Sequence, residues 1–126
     1  MSQEVITRIL DIEQEAVKIR DEAQHKAAHL IEEAQRSAVA AREEALDKAD
    51  AKIEELEDKA AKTSGDAKVQ YQKEINELKK MRAHAAQKLD DLKNSSSDAW
   101  DDSKQGFTKA YEDLHEAYND AVKKFK

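Results

Sequence analysis

His25 and His29 stand one helical turn apart, with Glu32 and Glu33 next along the chain. Two histidines at i,i+4 can share a metal ion, and a carboxylate could complete the set. The residues between them are Lys26, Ala27 and Ala28, so the HExxH pattern of a zinc hydrolase is absent. Solvated histidines on a helix surface are the preferred reading. Acidic pairs recur at Glu32-Glu33, Glu43-Glu44, Asp90-Asp91 and Asp101-Asp102. Adjacent residues on a helix diverge by ~100°, so these carboxylates do not converge as an acid/base dyad would. There is no cysteine, no Gly-rich phosphate loop and no GxSxG. The expectation is a non-enzyme, with no catalytic residues, no cofactor and no metal.

The elements that would carry such side chains are all helical. Charged residues make up 40% of the chain and apolar residues 39%, with two glycines and no proline. Many of the apolar residues are alanines, which bury little area each and offset little of the entropy of ordering. The same composition favours long helices. The net charge is −6, and residues 1–62 carry the whole imbalance. An acidic rod repels phosphate, so nucleic acid is excluded as a partner; Lys79-Lys80-Met81-Arg82 is too short a basic run to reverse this. The N-terminal residues have no basic lead and no continuous apolar run, and no window approaches the ~18 apolar residues of a spanning helix. A soluble cytoplasmic protein is expected.

An alanine recurs every eleven residues at Ala16, Ala27, Ala38, Ala49 and Ala60. Eleven residues over three turns is about 3.67 per turn, which favours a right-handed supercoil. The expected helix–helix seam is Ile9, Ile12, Ala16, Ile19, Ala23, Ala27, Leu30, Ala34, Ala38, Ala41, Ala45, Ala49, Ile53, Leu56 and Ala60. Every gap is three or four residues. Residues 1–62 therefore read as an alanine-rich rod that needs a covering helix, from a second copy, from another protein or from its own C-terminal half.

Gly65 marks either a turn or a kink. The eleven-residue columns carry across it, from Ala60 to Tyr71 and from Ala67 to Leu78, which favours a continuous or gently kinked helix. Residues 63–93 then continue in heptad-like steps through Tyr71, Ile75, Leu78, Leu89 and Leu92. The run Asn94-Ser95-Ser96-Ser97-Asp98 ends that helix and caps the next, with Ser97 or Asp98 as N-cap. Residues 98–126 form an amphipathic helix with five of the six aromatic residues. Its face, Trp100, Phe107, Tyr111, Leu114, Tyr118 and Phe125, is expected to fold back antiparallel on residues 63–93. The fold class is thus all-α: a long coiled-coil helix, then a helical hairpin.

Two resemblances accompany these patterns. Residues 3–60, through VITRILDIEQEAVKIRDEAQHKAAHLIEEAQ, resemble the H or G subunit of the peripheral stalk of archaeal and vacuolar-type rotary ATPases. That likeness implies a right-handed coiled coil with a different subunit and a stator role. Residues 50–126 resemble a family of small bacterial coiled-coil proteins linked to stress responses, through DAKVQYQKEINELKK, KLDDLKNSSSDAWDDSKQGF and KAYEDLHEAYNDAVKKF.

Three functions follow as expectations. The first is a self-associating coiled-coil scaffold or stress-associated binding protein. The second is a stalk subunit that pairs with a different helix. The third is a membrane-surface helix using Trp100 to Phe125; it is disfavoured because surface-binding helices prefer Lys and Arg on the polar face, and this one carries many acids.

Overall fold

The computed structural model describes residues 2–125. Met1 and Lys126, the outer ends of the first and last segments, lie outside the described residues. Three helices account for most of the chain: α1 (Gln3–Ala61), α2 (Gly65–Lys93) and α3 (Trp100–Lys124). No strand occurs among the described residues. The protein is all-α, and α2 and α3 pack together as a helical-hairpin-like pair. Two compact units are present, Met1–Ala38 and Val39–Lys126.

The first unit is helix alone. Ser2 starts it: its hydroxyl accepts the Val5 amide at 3.3 Å, and Glu4 lies in the first turn. Both features satisfy or complement the free amides at a helix N-terminus. No glycine or proline interrupts the run that follows.

The second unit is a three-helix core, built from residues 39–61 of α1 with α2 and α3. One cluster joins Ile53 and Leu56 of α1, Ile75 and Leu78 of α2, and Leu114 and Phe125 of α3. The other joins Leu46, Leu89, Leu92 and Phe107 with Ala85 and Ala110. Leu56, Leu78 and Leu92 are the largest side chains with essentially no exposure. Each such burial contributes roughly 1.5–3 kcal/mol.

The structure corrects the expectation of a continuous helix through Gly65. α1 ends at Ala61, and the Lys62 and Thr63 amides donate back to the Lys59 and Ala60 carbonyls at 3.2 and 3.1 Å. Gly65 adopts φ +70, a left-handed conformation that glycine takes without the steric cost borne by other residues. From there α2 runs back along α1. Lys79 pairs with Glu57, Arg82 with Asp50 and Lys93 with Glu43, so the later α2 residue meets the earlier α1 residue. The periodic columns survive the turn because both helices need an apolar stripe toward the same core. Common phase across a glycine is therefore no proof of a common helix.

The second connection is tightened by serines. Ser95 donates its hydroxyl to the Leu92 carbonyl at 2.8 Å, and the Ser96 hydroxyl accepts the Ala99 amide at 3.3 Å. The N-cap of α3 is Ala99, with no side-chain cap bond, rather than the expected Ser97 or Asp98; the Ser96 hydroxyl holds the turn that leads into it. Asp101 and Asp102 lie in its first turn and Lys123 and Lys124 in its last, as the helix dipole favours.

Candidate interaction surface

Residues 3–38 present an apolar face to solvent. Ile9, Ile12, Ile19 and Leu30 line one side of the helix, spaced by Ala16, Ala23, Ala27 and Ala34. All eight are exposed, with Ile12, Ile19 and Leu30 each more than 60% accessible. Beside them runs a second apolar set that the eleven-residue pattern left out: Ile6, Leu10, Val17 and Ile31, also exposed. Their spacing of four, seven and fourteen residues was the available signal. They widen the face to one flank. Isolated exposed apolar residues are ordinary, but a contiguous apolar strip on a charged helix marks an interaction site.

The polar sides of this stretch are held by local pairs. His29 Nε2 lies 3.1 Å from Glu33, and Arg36 lies 4.0 Å from Glu32, both at i,i+4. His29 is thus engaged with one carboxylate. Among the described residues no group of three or more acidic or histidine side chains is placed to hold a metal ion.

Toward residue 39 the expected seam loses its register. Ala38 and Ala45 are half-buried and Ala41 is exposed, whereas Leu46 is buried and Val39 and Arg42 are half-buried. The inward set here is Val39, Arg42, Leu46, Ala49, Ile53, Leu56 and Ala60, whose alternation of three and four is a heptad step. Ala49, Ile53, Leu56 and Ala60 are buried, and what covers them is the chain's own α2 and α3. This part of the seam needs no second molecule.

The aromatic face of α3 is likewise used internally. Phe107, Leu114 and Phe125 are buried, and Trp100, Tyr111 and Tyr118 are half-buried. Tyr71, Ile75, Leu78, Leu89 and Leu92 of α2 belong to the same clusters, and residues 46–60 of α1 complete the cover. Tyr71 stacks on Phe125 with ring centroids 3.8 Å apart and planes 18° from parallel. Arg42 lies over the Phe107 ring at 5.7 Å, and Lys52 over Tyr118 at 5.4 Å. Such cation–ring contacts let charged stems cover aromatic edges.

Two groups in this unit titrate away from their ordinary values. Lys93 is raised by its hydrogen bond to Glu43, with the Glu43 and Asp90 charges adding to it and burial opposing. Tyr118 is raised by burial and then by the nearby charge of Glu55. Neither sits with a nucleophile or a second acid in an enclosed site. A cleft between α1 and α3, lined by Lys52, Ile53, Tyr111, Leu114, His115 and Tyr118, is small and mostly apolar.

No protein-family model, curated protein or solved structure matches this chain. No helix among the described residues is long and apolar enough to cross a membrane.

Proposed function

We propose that this protein is a non-enzymatic helical scaffold that self-associates through residues 5–34 of α1. A single contrast carries the reading. The large apolar residues from Leu46 onward are largely covered by the chain's own helices, with Val69 the exposed exception, whereas nine between Val5 and Ile31 are exposed. Residues 39–125 then act as a self-contained folded unit, and the N-terminal helix is the docking element. The alanines allow a close helix approach, at the low end of ~8–10 Å, and the eleven-residue step favours a right-handed coiled coil.

The energetics suit a reversible assembly. Covering the exposed parts of four large residues yields roughly 1–2 kcal/mol each on both copies. Against an association cost of several kcal/mol, that leaves an affinity on the order of micromolar. Light scattering over a concentration series tests the reading. Growth in mass toward a dimer or larger assembly supports it, and a monomer at tens of micromolar rejects it.

The likeness to a rotary-ATPase stalk subunit, together with the eleven-residue period, favours a second reading in which the covering helix belongs to a different protein. The first unit would then be weakly helical alone and gain helix on mixing with that partner, as circular dichroism would report. The membrane-surface alternative is less favoured: it requires Phe107, Leu114 and Phe125 to face outward, and all three are buried.

A further inference from the structure

We propose that two copies dock antiparallel, with the two-fold axis at Ala23; this rests on the self-association reading above. The argument is the order of large and small residues along the exposed face. Reversing the helix on itself about Ala23 sets Ile12 against Ala34, Ala16 against Leu30, Ile19 against Ala27, and Ala23 against Ala23. Ile12, Ile19 and Leu30 then each meet an alanine. Layers of one large and one small residue keep the helix separation constant, as close packing requires.

The parallel pair and the neighbouring antiparallel registers fail this test. In a parallel, in-register pair Ile12 meets Ile12 and Ala16 meets Ala16, so wide and narrow layers alternate and leave gaps. Sliding the antiparallel pair by one step sets Ile12 against Leu30 in one direction and Ile19 against Leu30 in the other. An axis at Ala27 also separates the large residues, but it sets Ile12 against Ala41, which belongs to the second unit. Of the axes that pair Ile12, Ile19 and Leu30 within residues 3–38, only the one at Ala23 sets each against an alanine.

Area and charge agree with a second copy as the occupant. The overlap spans roughly 30 residues, or about 45 Å of helix. A strip of that length with its flanking side chains covers on the order of 700 Å² per copy, close to the ~800 Å² per partner of a standard stable interface. Next to the axis, Glu22 and Lys26 share one flank. In the reversed partner each comes opposite the other, giving two symmetric ion pairs. Further out on the same flank Glu15 meets Glu33, an unfavourable contact that His29 at 3.1 Å from Glu33 tempers.

Disulfide trapping tests the arrangement, since the chain has no native cysteine. Full-length Ile12→Cys and mass-tagged Ala34→Cys are mixed and gently oxidised. The mixed disulfide is expected to exceed the like-with-like products at least about fivefold. Like-with-like products from chains that still dimerise by light scattering would overturn the antiparallel axis and leave self-association standing. A monomeric wild-type chain would overturn both. Glu33→Lys supplies a second readout: it should tighten the dimer several-fold by pairing with Glu15, and an unchanged or weakened dimer contradicts the register.

Discussion

Arg82 grips Asp50 across 32 residues of chain, donating Nε to Oδ1 at 2.8 Å and Nη2 to Oδ2 at 3.0 Å. This two-point contact orients α2 against α1 and fixes which turns of the two helices meet. The bidentate fork adds geometric specificity that a lysine would lack. Both side chains are about a third to a half exposed, so solvent screens most of the attraction. Asp50→Asn should therefore lower the stability of residues 39–125 by only about 0.5–1 kcal/mol. Urea denaturation followed by circular dichroism checks this.

Leu78 is far more costly to lose. It is 1% exposed and belongs to the cluster in which all three helices meet. Leu78→Ala should destabilise the bundle by roughly 2–5 kcal/mol through lost transfer energy and the remaining cavity. The same denaturation experiment reads it. A loss no larger than that of Asp50→Asn would mean the bundle core is not where stability resides.

Gly65 stands at the turn between α1 and α2. A Cβ there would touch nothing within 4 Å, so its φ of +70 is the whole obstacle. Gly65→Ala should cost about 1–2 kcal/mol, and Gly65→Asn less, because asparagine tolerates the left-handed region. Equal stability of all three chains would imply that the turn opens.

These residues also show how far the sequence was readable. The absence of proline, the three-four spacing and the serine-rich break made three helical segments and the aromatic pairing of α2 with α3 legible. Leu46 was missed because Ala45 lay in the repeating alanine series, and the repeat took precedence over side-chain size. The bundle face and the eleven-residue face coincide at Ala49, Ile53, Leu56 and Ala60 but part upstream, where Val39, Arg42 and Leu46 turn inward. The turn at Gly65 was unreadable from periodicity, since folding back onto a shared core preserves phase as well as a straight helix does.

Alkaline pH should loosen the second unit. Lys93 is raised above 10.5 by its bond to Glu43, and Tyr118 is raised above 10.0 by burial and the Glu55 charge. Each group holds its proton more tightly folded than unfolded. Their contribution is complete below the unfolded values and is lost as pH rises through the folded ones. Tm should hold steady up to about pH 9 and fall above about pH 10. Tyr118→Phe keeps the ring and should flatten that fall, as thermal melts across this range would show.

The most direct test of the central claim is native mass spectrometry of the wild-type chain beside Ala23→Glu. A buried charge at the closest layer of the exposed face should abolish the dimer, while the melting temperature of residues 39–125 stays unchanged, because Ala23 lies outside that unit. A dimeric wild type and a monomeric variant of equal Tm is the predicted result. A wild-type monomer at tens of micromolar, or a variant that dimerises as well as the wild type, would contradict the account.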